Sequence, residues 1–479
     1  MIAKIIDRRT LLGAGLALAA TPAFAADKPD FISKRPAPAD RRFVSKAVER
    51  EIARVSSKIA DPKLRWMFGN CYPNTLDTTV KMGVVDGKPD AFVITGDIDA
   101  LWLRDSSAQV RPYLHLARED ADLRRLYQGL IARQARCVLL DPYANAFLAD
   151  PHAHTKLSWA LHDKTEMKPG VAERKWEIDS LCYPIRLAHD YWKATGDTSP
   201  FDAQWAESAR TIIRTFREQQ RKHGPGPYRF LRSSDRPTET LMLDGYGPPS
   251  RPVGLIHCGF RPSDDACIYP FLIPSNHFAV TVLRELATLA MAARQDSALA
   301  NDAMSLAGEI EAALREYGTM RLRDGREVMA YEVDGFGNAV FMDDANVPSL
   351  SSLAYLRCVD RSDPLWQRTA AACWSETNPY WSRGKVVEGI GGPHVGLGHV
   401  WPMSLIMRGF SYDRDVRTLR NILRMLSTSD AGTGFIHEAV DQNDPSKFTR
   451  DWFAWANGLF GELLVHLAAV QPKLLQEAL

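Results

Sequence analysis

Two carboxylates and an arginine stand close together near the middle of the chain. Arg261, Asp264 and Asp265 lie in the run CGFRPSDDACIYPFLIPSN (258–276), which contains three prolines. Because proline neither continues a helix nor donates a hydrogen bond to a strand, this run predicts a rigid, irregular loop. Adjacent acids repel each other, so their pKa values are expected to separate, which suits acid–base chemistry. The alternative is a helix N-cap, for which Ser263 and both aspartates are good residues.

A second acidic loop has the composition of a sugar-binding segment. The run ITGDIDALWLRDSSAQV (94–110) contains Asp97, Trp102, Arg104 and Asp105. Carboxylates and guanidinium groups bind vicinal hydroxyls, and an indole ring can stack on a sugar face. The alternative is a surface ion pair with Asp105 as a helix cap. We favour the sugar contact, because tryptophan is an unusual residue for a solvated loop.

Polar residues also stand where helices are predicted to begin. Glu177 and Asp179 fit either site carboxylates or a helix start capped by Asp179, and the sequence leaves both interpretations open. Asn276 follows Ser275, the predicted cap of a long helix. A position between loop and helix suits a ligand contact.

The glycine-rich run GIGGPHVGLGHVWP (389–402) contains His394 and His399. Glycines let the backbone approach a ligand closely. A metal site is one interpretation of two histidines, but no carboxylate lies between them at zincin-like spacing. Contact with sugar hydroxyls is therefore preferred, with a structural role as the alternative.

A last candidate acid lies near the C-terminus, in GTGFIHEAVD (432–441). Glu438 follows His437 and precedes a predicted helix rich in tryptophan. A glutamate there could act as a general base, with His437 holding or tuning it. Taken alone, Glu438 also fits a solvated surface residue.

No nucleophile elbow, P-loop or dinucleotide fingerprint occurs in a persuasive context. Separated carboxylates with no cofactor motif are the minimum equipment of a glycosidase.

Helices must position these loops, since apolar residues recur at three- and four-residue spacing along most of the chain. About a dozen helices are predicted by this periodicity, with starts near Phe43, Asp105, Leu123, Asp179, Asp202, Ser275, Ala298, Pro348, Pro364, Leu397, Asp413 and Trp452. The clearest strand signal is a hairpin of 328–333 with 339–342. Antiparallel helices joined by long loops favour an all-α fold with a closed double ring of helices and its loops gathered at one mouth.

Composition excludes some function classes. The 479 residues carry a formal net charge of +1 and no basic stripe interleaved with aromatics, which argues against a nucleic-acid partner. The seven cysteines are scattered without a CxxC pair, so neither a zinc site nor a disulfide framework is indicated, although a single bridge such as Cys258–Cys267 stays open.

The N-terminus is typical of an export signal. Arg8 and Arg9 precede an apolar run (13–20), and Ala23-Phe24-Ala25 forms a small-x-small cleavage site. The paired arginines are similar to a bacterial twin-arginine signal. We therefore predict a signal peptide over 1–25, a linker over 26–40, a catalytic domain over 41–479, and a periplasmic or secreted protein with no stable membrane association after cleavage. The alternative is an N-terminal anchor, but the run is short for a bilayer.

Five runs resemble those of glycoside hydrolase family 125, the bacterial and fungal exo-acting α-1,6-mannosidases. They are TGDIDALWLRDSSAQ, FRPSDDACIYPFLIPSN, GPHVGLGHVWPMSL, GFIHEAV and RDWFAWANGLFGEL. The resemblance covers essentially all the chain after the signal. It implies an (α/α)6 barrel, an α-mannoside substrate, an inverting mechanism and no metal or other cofactor.

The same resemblance implies the catalytic residues. The general acid falls within Ser263–Asp265, where we favour Asp265 and give Asp264 a substrate or structural contact, and the general base falls on Glu438. An inverting pair is expected roughly 6.5–9.5 Å apart, so that a water fits between base and sugar. The residues expected to bind the terminal mannose are Asp97, Trp102, Arg104, Asp105, Arg261, Asp264, Asn276, His394 and His399.

Two other functions fit the same residues. Another (α/α)6 inverting glycosidase, glucoamylase-like or trehalase-like, would use the same carboxylates on different sugars. A non-catalytic glycan-binding protein would keep the Trp and Arg contacts but tolerate loss of Asp265 and Glu438. The natural glycan, chain-length preference and oligomeric state do not follow from the sequence.

Overall fold

Helices are the main elements of the computed structural model, which describes residues 31–479. The α-helices are α1 (Lys46–Ser56), α2 (Pro62–Cys71), α3 (Asn74–Thr78), α4 (Leu103–Ala108), α5 (Ala121–Leu140), α6 (Ile178–Thr195), α7 (Ala203–Gln219), α8 (Met242–Gly245), α9 (Ile273–Arg294), α10 (Ser297–Tyr317), α11 (Pro364–Cys373), α12 (Pro402–Ser411), α13 (Val416–Thr428), α14 (Ala454–Val470) and α15 (Pro472–Leu475). Short 3-10 turns occupy Pro38–Asp40, Arg111–Leu116 and Pro237–Glu239.

An inner ring of elements runs around the centre of the molecule. Helix α4 packs against α6, α6 against α9, α12 against α14, and α14 back against α4. A segment of turns over 349–356 closes the ring between α9 and α12, since the Tyr355 ring packs at a tilt against Phe410 and the neighbouring Cys358 hydrogen-bonds to Thr281. Helix α14 is buried nearly all round, as expected for an element surrounded by protein.

An outer ring covers the inner one. Helix α5 packs on α6 and α7, α7 on α10, and α10 on α9, while α13 packs on α12 and α2. These outer helices are amphipathic, and α5, α7, α10 and α13 each begin at an aspartate whose side chain accepts a backbone N–H, namely Asp120, Asp202, Asp296 and Asp415. The two rings form an (α/α)6 barrel, and the fold class predicted from the sequence is confirmed.

Short antiparallel strands brace the loops between helices. They form the sheets β1 (Val80–Val85) with β2 (Lys88–Val93); β3 (Leu101–Trp102), β4 (Ala146–Phe147) and β5 (Val171–Glu173); β6 (Phe271–Leu272), β9 (Glu332–Val333) and β10 (Ala339–Val340); β7 (Thr319–Arg321) with β8 (Glu327–Met329); β11 (Trp381–Arg383) with β12 (Glu388–Ile390); and β13 (His399–Val400), β14 (Ala439–Asp441) and β15 (Phe448–Thr449). Three of these sheets, around β4, β9 and β14, hold the loops that carry the candidate acids.

Two predicted elements differ from the structure, and one is confirmed in part. Residues 349–356 form turns instead of the helix predicted near Pro348, because the Ser352 hydroxyl accepts from the Ser349 N–H and donates to the Ser349 carbonyl. The helix predicted near Leu397 begins at Pro402, after the glycine-rich run. The predicted hairpin exists between β9 and β10, but the strand before it, β8, pairs with β7 instead.

The predicted signal peptide lies outside the described residues and stays a prediction. Part of the predicted linker contacts the domain: Arg35 donates to Asp77 (2.7 Å) and Glu49 (2.6 Å), and the Lys34 N–H donates to Asn70. Within the described residues, none of the helices has the length and apolar character needed to cross a bilayer.

Candidate active site

One cavity, of about 380 Å³, lies at the N-terminal ends of the inner-ring elements. Each inner element contributes a residue from its first turn or from the loop before it. The lining residues are Thr95, Ile98, Trp102, Arg104, Asp105, Trp159, Glu173, Lys175, Arg232, Arg236, Glu239, Pro262, Asp264, Asn346, His394, Trp401, Glu438, Arg450, Phe453 and Trp455.

The adjacent acids of the central loop have different surroundings. Asp264 lines the cavity, and its backbone lies in the left-handed region with φ 70°. Its carbonyl accepts a hydrogen bond from the Lys175 Nζ at 2.8 Å, which fixes this turn. Asp265 is buried and is not among the lining residues. Its carboxylate lies 3.5 Å from the Ser263 hydroxyl and 3.9 Å from His394 Nδ1, and burial raises its pKa.

A buried network stands behind Asp264. Arg104 Nη1 donates to Glu177 at 2.7 Å and to Asp179 at 3.1 Å, while its Nε lies 3.5 Å from Asp105. Burial raises the pKa of Asp179 to about 6, and it raises that of Glu177 well above the usual range. Burial acts in the same direction on Asp264, but the charges of Lys175 and Arg104 outweigh it and hold the pKa of Asp264 below its ordinary value.

Glu438, which lies in the C-terminal part of the sequence, lines the same cavity. It lies directly before β14, whose pairing with β13 and β15 fixes its backbone. Its carboxylate accepts a hydrogen bond from the Thr449 hydroxyl at 3.0 Å and lies 3.6 Å from Arg450 Nη1. The preceding residue, His437, has partners other than the Glu438 carboxylate. Its ring stacks on Phe448 and its nitrogens bond to Thr433 and to the Arg450 carbonyl.

Several lining side chains have buried polar atoms with no hydrogen-bond partner among the described residues. They are Arg104 Nε, Asp105 Oδ2, Asp264 Oδ1, Asn346 Oδ1, Trp401 Nε1 and Trp455 Nε1. Buried polar atoms normally find partners. A set of carboxylate, amide and indole groups around one cavity matches a ligand with many hydroxyls, which both donate and accept.

Comparison with known proteins supports this interpretation. The sequence profile of the family described as metal-independent alpha-mannosidase (GH125) matches residues 61–465. The chain belongs to this family. A fission-yeast relative (Schizosaccharomyces pombe), the meiotically up-regulated gene 157 protein, is 42% identical over 461 residues, which are 93% of this chain and 90% of the relative.

A solved GH125 structure is similar over nearly the whole domain. It is a Streptococcus pneumoniae protein from the metal-independent alpha mannosidases, in a non-productive complex with alpha-1,6-mannobiose. It is 40% identical to this chain, with a TM-score of 0.84, and the match covers 90% of this chain and 100% of that one. This protein is therefore a glycoside hydrolase of the GH125 alpha-mannosidase family.

The structure brings six of the predicted site residues to the cavity wall of this GH125 enzyme. These are Trp102, Arg104, Asp105, Asp264, His394 and Glu438. Asp97 lies outside the lining set and forms an ion pair with Arg450, which in turn lies over the Phe453 ring. Asp97 therefore acts on the cavity through Arg450.

Three other predicted ligands of the sugar are not among the lining residues. Arg261 is paired with the buried Glu332 at 2.6 Å. Asn276 uses its amide to bridge Ile256, accepting from the N–H and donating to the carbonyl. His399 lies in β13, paired with Asp441. The first two side chains are occupied by protein partners, and they shape the loops.

Several lining residues were not identified from the sequence. Lys175 and Glu173 come from β5 and the loop after it, where the sequence drew attention only to Glu177 and Asp179. Trp159 donates through its indole to Glu173 at 3.2 Å and is 43% exposed, at the rim. The motif RDWFAWAN contained the signal for Arg450, Phe453 and Trp455, which was used only for the family resemblance.

A metal-ligand cluster does not occur at the cavity within the described part of the chain. The one group of three potential ligands there is His189, Asp190 and Glu285, which lies elsewhere. Arg357 donates to Asp190 and Glu285 at 2.7 Å each, and Arg111 and Arg186 lie 3.6 and 3.9 Å from Asp190, so arginines already neutralise these carboxylates.

Proposed function

We propose that this enzyme removes terminal α-1,6-linked mannose from the non-reducing end of mannosides or glycans, with inversion of the anomeric carbon. The observation that carries the proposal is that two separated carboxylates, Asp264 and Glu438, line one cavity rich in unsatisfied polar atoms. The α-1,6 linkage is supported by the mannobiose bound to the Streptococcus pneumoniae relative. Exo action is proposed from the resemblance of the five sequence runs to the exo-acting family.

We assign the general acid to Asp264 and the general base to Glu438. The sequence favoured Asp265 as the acid, and that assignment stays untested. The exposure of Asp264 to the cavity, together with the burial of Asp265 against Ser263 and His394, supports the change of assignment. In the reaction, Asp264 donates a proton to the glycosidic oxygen as the C1–O bond breaks. Glu438 takes a proton from the water that attacks C1 from the opposite face.

Proton NMR of the first sugar released from α-1,6-mannobiose tests the stereochemistry. We expect β-mannose to appear first and to mutarotate afterwards. Initial release of α-mannose would show retention and would contradict the proposal.

Three variants test the roles of the carboxylates. Asp264→Asn and Glu438→Gln should each lower kcat on the disaccharide by roughly 10²–10⁴-fold, since each removes one proton-transfer group. Asp264→Asn should keep substantial activity on an aryl mannoside with a good leaving group, which needs no proton. Asp265→Asn is the matched control; if it loses the disaccharide activity selectively and Asp264→Asn does not, the acid is Asp265.

A further inference from the structure

Glu177 is a fully buried carboxyl directly behind the proposed acid. It does not line the cavity, and it precedes α6 without capping it. Its side chain accepts hydrogen bonds from Arg104 (2.7 Å), Ser180 (2.7 Å) and Asn145 (3.4 Å), and it lies within hydrogen-bonding distance of the Asp264 carboxyl. The carboxyl groups of Glu177 and Asp264 are therefore in contact. That of Glu177 is buried, and that of Asp264 faces the substrate cavity.

Two carboxyl groups form a hydrogen bond only when one of them carries a proton, because ionised carboxylates are acceptors only. The charged groups around the pair do not remove the need for one proton, because the negative groups outnumber the positive ones. Arg104 and Lys175 supply two positive charges, while four carboxyls face them; these are Asp105, Glu177, Asp179 and Asp264. His394 also faces Asp264 and lies against Asp265.

We propose that Glu177 is a positioning residue that keeps one proton on the Asp264–Glu177 hydrogen bond at neutral pH, so that the acid is supplied protonated. This inference rests on the proposed role of Asp264. A like charge in contact disfavours the second ionisation of such a pair, as in other carboxylate dyads. Glu177 is fully buried while Asp264 faces the cavity, and burial raises the pKa of Glu177.

The proton inventory of one turnover balances. The shared proton passes through Asp264 to the glycosidic oxygen, and the leaving group takes the electron pair of the C1–O bond. The attacking water forms the new bond to C1 and loses a proton to Glu438. The pair is then doubly ionised and Glu438 is protonated, and exchange with solvent restores both.

The test is the pH profile of kcat/KM for Glu177→Gln on α-1,6-mannobiose. A glutamine keeps the shape and accepts from Arg104, but its N–H₂ donates to Asp264 and stabilises the ionised acid. We expect the alkaline limb to move to lower pH by about one unit, with roughly tenfold lower kcat/KM above the limb. Activity on an aryl mannoside with a good leaving group should change little.

Ser180→Ala is the matched control, because it removes a hydrogen bond to the same carboxyl but leaves the carboxyl in place. Its alkaline limb should not move to lower pH, since loss of a donor to the Glu177 carboxylate disfavours the ionised form. An unmoved limb in Glu177→Gln, or a loss equal at every pH and for both substrates, would overturn the inference.

Two further measurements distinguish failure of the Glu177 inference from failure of the proposed function. If Glu177→Gln does not fold, the wild-type profile decides, since an alkaline limb in the ordinary carboxyl range of about 4 to 5 would mean that no shared proton persists at neutral pH. Full disaccharide activity in Asp264→Asn would instead overturn the proposed function. Loss of activity in Asp264→Asn with an unmoved Glu177→Gln profile would overturn only the role of Glu177.

Discussion

Arg261 and Glu332 show how a charged residue near the proposed acid can stabilise the loop instead of binding the substrate. The Arg261 Nε donates to Glu332 at 2.6 Å, and both side chains are almost fully buried. The second oxygen of Glu332 accepts from the N–H groups of Ile268 and Tyr269. One carboxylate thus ties both ends of the turn that carries Asp264 to strand β9.

Replacement of Glu332 should therefore destabilise the fold. In Glu332→Gln the buried Arg261 charge loses its counter-ion, and we expect a loss of about 3–5 kcal/mol in the free energy of unfolding. Denaturant unfolding followed by circular dichroism measures it. The control is Asp324→Asn, which breaks the exposed pair with Arg326 and should have no measurable effect. A loss below about 1 kcal/mol for Glu332→Gln would mean that the pair contributes no more than a surface one.

At the level of elements, one glycine in α10 and one in α5 show the separate effects of helix propensity and of side-chain packing. Its apolar stripe, which includes Leu306, Ile310 and Leu314, is buried and the helix packs against α9. Gly308 lies on the opposite, exposed face, and a Cβ built there meets no atom within 4 Å. Gly129 in α5 is the reverse case, since its Cβ would lie 2.7 Å from the backbone of Asp90.

These two glycines predict opposite results for the same substitution. Gly308→Ala should stabilise the protein by about 0.5–1 kcal/mol, because alanine loses less backbone entropy in a helix. Gly129→Ala should destabilise it, because α5 must move away from β2. Thermal unfolding of both variants tests this, and a lower Tm for Gly308→Ala would contradict the prediction.

The sequence predicted most of the helices, because burial of one face leaves a 3.6-residue period that tertiary contacts do not erase. It did not predict the turns of 349–356, where serine side chains compete for the backbone, nor the contribution of Lys175 and Glu173, which a two- or three-residue strand brings to the cavity. Which of Asp264 and Asp265 faces the cavity depends on the left-handed backbone conformation of Asp264. Aspartate can adopt this conformation, so the sequence has no glycine there to indicate it.

Over the whole molecule, ring closure joins residues that are far apart in sequence. The Thr95 carbonyl accepts from Ala454 N–H at 3.2 Å, and Asp97 N–H donates to the Trp452 carbonyl at 3.3 Å. Arg450, beside Glu438, reaches Asp97 across the same seam. The proposed general base is therefore held in place by the N-terminal loop, and the cavity lies where the first and last inner helices meet.

The cysteines provide a measure of that closure. All seven are unbridged, including Cys258 and Cys267, and six of them are buried; Cys358 is partly exposed. Burial raises the pKa of each thiol whose surroundings shift it, to about 12 for Cys137 and Cys358, so little reactive thiolate forms.

We expect the native protein to react with at most one equivalent of Ellman's reagent, slowly, and Cys358→Ala to react with none. Unfolding in guanidinium without reductant should expose all seven. Fewer than seven would indicate a disulfide, and fast reaction of several thiols in the native protein would mean that the ring opens readily.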